Sequence, residues 1–152
     1  MGPRLANMSR YWIYMTSVGV TPPGASSSTP VTATGYNQAI FPDSGTTISQ
    51  LPTALVNALL PYFPGAVSQG GGAYTVPCSY RDQAGTIDFG FGNTTIHVSY
   101  HEWFWFDGQD CYFGAQATQS TFLLGGMSAP ALRTRWKLIK DSKYRFLYAI
   151  SI

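Results

Sequence analysis

An aspartate at the end of an apolar segment is the residue in this sequence best suited to chemistry. Residues 39–42 (Ala-Ile-Phe-Pro) favour a strand, and the next five residues are Asp43, Ser44, Gly45, Thr46 and Thr47. Gly45 can adopt backbone conformations closed to other residues, and nearby hydroxyls can hydrogen-bond a carboxylate. The pattern predicts that Asp43 is a reacting carboxylate held at a strand-to-loop corner, although the same residue types also form ordinary turns.

The length and composition limit the fold that must hold this corner. The chain has 152 residues, enough for one domain with a core and too few for two. Charged residues make up 11% of the chain and aromatic residues 15%, with 16 Gly and 10 Pro. Because this balance favours strands and turns over helices or disorder, we expect a mainly β domain.

Charge is distributed unevenly along the chain. Up to Gly125 there are three basic and six acidic residues, whereas residues 126–152 hold six basic residues and one acidic residue. The basic residues of this tail are scattered and match no binding motif, so we expect neither nucleic acid nor a membrane as a partner. No stretch reaches transmembrane length, and residues 1–10 lack the apolar run of a secretory signal peptide.

Periodicity and turn residues predict the elements around the corner. Residues 11–20 read as one strand, and the Pro-, Ser- and Thr-rich residues 21–30 read as a loop without function. After the corner, one face of a short helix is apolar, with Thr53 as its N-cap and Pro61 limiting its length. That face consists of Leu55, Val56, Leu59, Leu60 and Phe63.

Three further segments read as strands. Residues 73–78 follow a break of three glycines, and residues 86–91 and 94–98 alternate across the turn Gly92-Asn93, which is typical of a tight β-hairpin. Asn93 also begins an Asn-Thr-Thr triplet, which makes it a glycosylation candidate if the protein is secreted.

Several of these segments together resemble the C-terminal lobe of a pepsin-like aspartic protease of the secreted fungal type, over residues 10–125. They are the Tyr-Trp strand at residues 11–12, the Asp-Ser-Gly-Thr-Thr corner, the Phe-Gly-Phe-Gly hairpin at residues 89–92 and the Phe-Leu-Leu-Gly segment at residues 122–125. The resemblance implies a mainly β lobe, a six-stranded-type barrel or sheet with one or two short helices. It also implies an extracellular endopeptidase that acts on peptides and proteins and needs no cofactor.

The same resemblance implies roles for individual residues. Asp43 would be one aspartate of a catalytic pair, and Ser44 would hydrogen-bond across to the other lobe. Gly45 would supply the turn, Thr46 would hydrogen-bond Asp43, and Thr47 would lie along the substrate cleft. Beside the catalytic strand would run the segment Leu123, Leu124 and Gly125.

Cys78 and Cys111 are the only cysteines in the chain. In an extracellular β protein such a pair is expected to be bridged, whereas in a reducing compartment the two thiols would stay free. The resembled lobe has a disulfide in a Pro-Cys and Cys-Phe/Tyr-x-Gly setting, which Pro77-Cys78 and residues 111–114 match. The resemblance therefore implies a bond between Cys78 and Cys111.

The chain lacks a second Asp-Ser/Thr-Gly segment, and pepsin-like enzymes need one in each of two lobes. We therefore expect this chain to be inactive by itself and to require the missing N-terminal lobe or a second copy of itself. After Gly125 the resemblance stops. An altered reading frame or an unspliced intron would explain the divergent basic tail at residues 126–152, so we interpret the chain as a fragment.

Two other groups of residues allow different interpretations. His97, His101 and Glu102 are metal-ligand types, but on one extended strand the two histidines would lie about 13 Å apart, so we expect no metal site. The aromatic residues Tyr100 and Trp103 to Phe106 could form a sugar-binding platform, although we expect them to belong to the core and the cleft wall. The non-enzymatic alternative is an inactive lobe that binds a protein or a glycan.

Overall fold

A computed structural model describes residues 12–43, 47–120 and 122–125 of the chain. Thirteen short strands dominate the described part, which confirms the mainly β prediction. They are β1 (Ile13–Met15), β2 (Ser17–Thr21), β3 (Thr29–Pro30), β4 (Gln38–Asp43), β5 (Ser49–Pro52), β6 (Val67–Gly70), β7 (Ala73–Val76), β8 (Thr86–Phe91), β9 (Thr94–Ser99), β10 (Trp105–Phe106), β11 (Cys111–Tyr112), β12 (Ala115–Thr118) and β13 (Leu123–Gly125). Two short α-helices, α1 (Thr53–Leu59) and α2 (Tyr100–Trp103), and two 3₁₀ turns, Leu60–Tyr62 and Cys78–Asp82, complete the described elements.

The first sheet carries the Asp43 corner and has the strand order β1-β4-β13-β5-β12. Its pairings alternate in direction: β4 is antiparallel to β1 and parallel to β13, and β5 is antiparallel to β13 and parallel to β12. Since β4 has a neighbour on each side, the strand that leads into Asp43 lies in the interior of the sheet.

The second sheet has the order β3-β2-β8-β9 and contains the predicted hairpin. Strands β8 and β9 pair antiparallel from Thr86 opposite Ser99 to Phe91 opposite Thr94, and Gly92-Asn93 forms the turn with a positive φ of 65° at Gly92. Alternate residues of β9, Ile96 and Val98, are buried under the sheet. The period-2 pattern read from the sequence is therefore the pattern of burial.

The third sheet has the order β10-β11-β7-β6. Aromatic rings make up a large part of the buried core. Phe63, which follows α1, is fully buried at the centre of the cluster. Its ring lies 5.0 to 5.9 Å, centroid to centroid, from four other rings: Tyr80, Tyr100, Phe104 and Phe113. Edge-to-face packing at these distances adds to the stabilisation from burial itself.

The structure corrects the prediction of a single strand over residues 11–20. Ile13–Met15 pairs with β4 in the first sheet, whereas Ser17–Thr21 pairs with β8 in the second. The chain changes sheet at Thr16, whose backbone N–H donates to the Gly90 carbonyl at 2.8 Å. β-Propensity alone could not reveal this break, because both halves are rich in strand-forming residues.

The helix prediction is confirmed in its buried face and wrong in its cap. Leu55, Val56 and Leu59 are buried on α1, and the α-helix gives way at Leu60 to the 3₁₀ turn that contains Pro61. Thr53 is the first residue of the helix, and its hydroxyl donates to the Thr118 carbonyl at 3.4 Å instead of capping the helix. None of the described helices is long and apolar enough to cross a membrane.

Candidate active site

Asp43 is the last residue of β4, an interior strand of the first sheet. Strand β13 runs parallel to β4, with Leu123 opposite Phe41, Leu124 opposite Pro42, and Gly125 opposite Asp43. The segment Leu123 to Gly125 therefore lies beside β4, the strand that ends at Asp43. The carboxyl end of an interior strand is a usual place for a functional residue, because the following loop leaves the sheet there.

A buried hydroxyl supports this end of the sheet. Ser49 on β5 is fully buried, and its Oγ accepts a hydrogen bond of 2.9 Å from the backbone N–H of Gly125. The Ser49 backbone N–H in turn donates to the Gly114 carbonyl at 2.9 Å. Nothing in the sequence pattern singled out Ser49, although its alternation with the buried Leu51 places it on the inner face of its strand.

Pro42 is buried next to Asp43 and stands opposite Leu124. A proline cannot donate a backbone hydrogen bond. Because successive backbone N–H groups of a strand point to opposite sides and that of Phe41 points to β13, the donor missing at Pro42 does not belong to the β4–β13 ladder. One residue earlier, the Phe41 N–H donates to the Phe122 carbonyl at 3.2 Å and keeps the strands together. The proline is therefore accommodated without loss of the parallel pairing that positions Asp43.

A disulfide joins Cys78 to Cys111, with the two Cα atoms 5.2 Å apart. It links the 3₁₀ turn at Cys78–Asp82 to β11. Three residues later, Gly114 fills a position where a Cβ would collide with the Trp103 carbonyl oxygen and indole ring. In the Cys-Tyr-Phe-Gly segment the cysteine thus forms the disulfide, and the glycine is required by its close contact with Trp103.

Comparison with known families gives one decisive match. Residues 5–132 match the family described as eukaryotic aspartyl protease. This chain belongs to the eukaryotic aspartyl protease family. A search of curated protein sequences gave no match.

A solved structure supports the fold of this aspartyl protease domain. The aspartic proteinase from Irpex lacteus matches with a TM-score of 0.51 and 15% sequence identity, and the alignment covers 76% of this chain. The domain spans 40% of the length of that proteinase. The pepsin-like lobe predicted from the sequence is confirmed at the level of the fold.

Ser44, Gly45 and Thr46 lie outside the described residues, as does the side chain of Asp43. Thr47 follows the corner and is exposed. Asn93 is exposed at the β8–β9 turn. The basic tail at residues 126–152 also lies outside the described part.

A second aspartate, Asp88, is buried in the middle of β8 on the outer face of the second sheet. Its side chain is 4% exposed, and His97 Nδ1, from the paired strand β9, lies 2.6 Å from Asp88 Oδ1. Three hydroxyls also donate to the carboxylate at 2.6 to 2.7 Å: those of Thr21, Ser28 and Thr86. The prediction that residues 21–30 form a loop without function did not anticipate the structural bond from Ser28 to Asp88.

The hydrogen bonds keep Asp88 ionised despite its burial. Burial raises the pKa of this carboxyl, but the donors outweigh it and the net effect is a lowered pKa. Burial, followed by the charge of Asp88, also raises the pKa of Tyr100 to about 12. The donors come from three strands, β2, β8 and β9, and from the loop that precedes β3. Asp88 therefore holds that loop against the sheet.

The two histidines do not lie on a single extended strand, and neither do the aromatic residues that follow them. Strand β9 ends at Ser99, so His97 lies on the strand and His101 in α2. Within the described ranges no group of three or more His, Cys, Asp or Glu side chains could hold a metal ion. Tyr100, Trp103 and Phe104 are buried in the core, whereas Trp105 and Phe106 are 36% and 45% exposed.

Proposed function

We propose that this chain supplies one half of the active site of an aspartic endopeptidase, with Asp43 as one member of the catalytic pair. The observation that carries the proposal is the position of Asp43, at the end of an interior strand with Gly125 of β13 opposite, in a chain that matches the aspartyl protease family. The lobe would comprise residues 10–125, with residues 126–152 as a separate basic tail.

The chemistry requires a second carboxylate close to Asp43. Two adjacent carboxyl groups share one proton, because ionising both would place like charges together at a high free-energy cost. The ionised group accepts a proton from a water molecule as the water oxygen attacks the peptide carbonyl carbon, and the protonated group donates its proton to the carbonyl oxygen. The apparent pKa values then belong to the pair and to neither aspartate separately.

The residues around Asp43 would prepare this site in distinct ways. Gly45 allows the chain to turn after Ser44, whose hydroxyl bonds across to the other lobe, while Thr46 donates to the Asp43 carboxylate. Thr47 lines the cleft in which an extended peptide substrate binds. Strand β13, with Leu123, Leu124 and Gly125, supports the catalytic strand from one side.

The second aspartate would come from a separate N-terminal lobe or from a second copy of this chain related by a two-fold axis. The disulfide between Cys78 and Cys111 supports an extracellular location, because such bonds persist in oxidising compartments. We accordingly assign Asn93 as a glycosylation site of the secreted protein.

The test is cleavage of a quenched fluorescent peptide between pH 3 and 6. We expect the purified full chain to be inactive at low concentration and to gain activity when a fungal N-terminal lobe is added, or in proportion to dimer formation as its concentration rises. Replacing Asp43 with Asn should lower that activity by about a thousandfold, since proton transfer is lost. The control Asp82→Asn, at an exposed acidic residue of the 3₁₀ turn, should retain it.

An inactive lobe that binds a protein or a glycan is the second candidate function. The exposure of Trp105 and Phe106 favours it, because large aromatic side chains on a surface often mark a binding site. Pepstatin separates the two functions, since this inhibitor needs both aspartates. Pepstatin binding by the reconstituted protein supports the protease, and its failure to bind under every condition of assembly would leave the inactive lobe.

A further inference from the structure

The loop between β2 and β3 is joined to the outer face of the second sheet by one side chain. Residues 22–28 form this loop, and all of them except Pro22 are exposed. The bond from the Ala25 N–H to the Pro22 carbonyl, at 3.0 Å, stays within the loop. The Ser28 hydroxyl instead leaves the loop and donates to Asp88 Oδ2 at 2.6 Å. We call residues 22–28 the strap.

The sheet has an opening for the Ser28 side chain at Gly19. Gly19 on β2 is paired with Asp88 on β8, and directly paired residues share one face of a sheet. A Cβ at Gly19 would collide with the Ser28 hydroxyl and with the carbonyl oxygen of Thr29. The absence of a side chain at Gly19 is therefore what allows Ser28 to cross β2 and reach Asp88.

The four donors divide evenly between the two oxygens of Asp88. Oδ1 accepts from the Thr86 hydroxyl at 2.7 Å and lies 2.6 Å from His97 Nδ1. Oδ2 accepts from the hydroxyls of Thr21 and Ser28, both at 2.6 Å. Hydrogen bonds to an ionised carboxylate are about twice as strong as those between neutral groups. A carboxyl that takes up a proton loses this advantage, and one of its oxygens becomes a donor.

His97 decides which oxygen of Asp88 takes up the proton. An imidazolium carries N–H groups on both ring nitrogens, so Nδ1 continues to donate to Oδ1 in acid. The proton is therefore directed to Oδ2, where Thr21 and Ser28 donate. Thr21 is fixed by its pairing with Thr86 in the sheet, whereas Ser28 belongs to the exposed loop. Protonation thus weakens the strap's bond to the sheet.

Few other titratable groups face Asp88. Asp88 and His97 are the only titratable residues that line the adjacent groove, and neither β2 nor the strap contains one. From α2, Tyr100 is neutral in acid, because burial and then the charge of Asp88 raise its pKa to about 12. Burial raises the pKa of Asp88, but its hydrogen bonds lower that pKa by more. The strap's bond is therefore lost only as the pH falls through this lowered pKa.

We propose that Ser28 and Asp88 form an acid-operated latch, which holds the strap on the second sheet and releases it when the carboxyl is protonated. Ser28, Asp88 and His97 all line one groove of about 530 Å³ on this face. Release of the strap removes Ser28 from the wall of the groove and exposes the carboxyl beneath it. The latch lies on a different sheet from Asp43 and does not depend on the proposed half-site.

The test follows the isotope-labelled full chain by NMR from pH 7 to pH 2, with the Asp88 carboxyl signal reporting its titration. Order parameters of the strap amides should fall from about 0.85 to below about 0.6 with the midpoint of that titration. The amide of Ile87, which is fully buried, should keep its value. Ser28→Ala should free the strap at every pH, and Asp88→Asn should abolish the acid transition. Ser27→Ala, at the neighbouring exposed serine, is the matched control and should behave as the unchanged chain does.

Gly19→Ala tests the geometry without changing a polar group. Its methyl group would occupy the path of the Ser28 side chain, so the strap should be mobile at pH 7. Circular dichroism establishes that each variant is folded, and Ser28→Ala decides the result if Gly19→Ala does not fold.

Three results would overturn the latch at neutral pH or in acid. The first is an ordered strap in Ser28→Ala at pH 7, and the second is an equal loss of order in Ser27→Ala. The third is a strap that stays ordered at pH 2, whether or not the Asp88 carboxyl has titrated. Loss of strap order only together with loss of the Ile87 signal would show global unfolding and would overturn it as well.

Discussion

Ser49 and Gly125 are 76 residues apart in the sequence, and the Ser49 hydroxyl accepts a hydrogen bond of 2.9 Å from the Gly125 amide. The bond joins β5 to β13 at the point where β13 pairs with Asp43 on β4. A single buried hydroxyl therefore connects β5, the strand that follows the Asp43 corner, to β13, the strand beside it.

Replacing Ser49 with Ala should destabilise the lobe. The Gly125 N–H would lose its acceptor in a buried environment, which costs about 1–3 kcal/mol. Denaturant unfolding of the full chain measures the change. Ser27→Ala, in the exposed loop before β3, is the control and should change the free energy of unfolding by less than about 0.5 kcal/mol. Equal effects of the two substitutions would contradict the role assigned to Ser49.

The disulfide should contribute substantially to stability. It closes a loop with a sequence separation of 33 residues, and replacing both Cys78 and Cys111 with Ser should lower the free energy of unfolding by about 3–4 kcal/mol through loop entropy. Thermal unfolding with and without a reductant checks this. The reductant should lower the melting temperature of the unchanged chain and leave that of the double variant unaltered.

Asp88 should make the stability depend on pH in the acid range. Its pKa is lower in the folded chain, so the ionised carboxylate stabilises the fold above the unfolded pKa of about 3.9, and this stabilisation is lost as the pH falls through the folded pKa. The free energies of unfolding of the unchanged chain and of Asp88→Asn are measured from pH 7 to pH 2. They should differ most above the pKa of the unfolded chain and converge as the pH falls below it.

Ser28→Ala provides a graded control for the same network. It removes one of the hydroxyls that donate to Asp88, at 2.6 Å, so the pKa of the carboxyl should rise towards its ordinary value. The acid-induced loss of stability should then be smaller, and complete at a higher pH, than in the unchanged chain. A difference between the unchanged chain and Asp88→Asn that stays constant over the whole range would disprove the linkage.

Gly114 should not tolerate even the smallest side chain. A Cβ there would collide with the carbonyl oxygen and the indole of Trp103, which is fully buried, so Gly114→Ala should cost about 1–3 kcal/mol. The fluorescence of the buried indole and the denaturant midpoint report the change. The control Ala84→Gly, at an exposed position, should leave the indole signal unaltered.

Local features of the fold could be predicted from the sequence because their causes lie within a few residues. The Gly92-Asn93 hairpin depends on a two-residue turn between alternating strands, and the buried face of α1 depends on helical spacing. The pairing of Cys78 with Cys111 was predicted from short segments that resemble a pepsin-like lobe, and the structure has this disulfide.

Other features were decided by contacts between distant segments. Tyr11 to Val20 has strand propensity along its length, yet the chain passes from one sheet to another at Thr16, because β4 and β8 provide different partners. Trp103 and Trp105 belong to one aromatic run, but α2 ends at Trp103 and the strand β10 begins at Trp105, so one indole is buried and the other exposed. Propensity cannot distinguish the two.

The sequence by itself determined the family, the mainly β lobe and the candidate reacting residue, Asp43. Tertiary structure alone brought Ser28, from a loop that looked unimportant, to a buried carboxylate 60 residues away in the sequence, and placed Trp105 opposite Tyr112 on paired strands. The physical reason is that hydrogen bonds and ring contacts act over a few ångströms in space, so their partners are known only when the strands are in register.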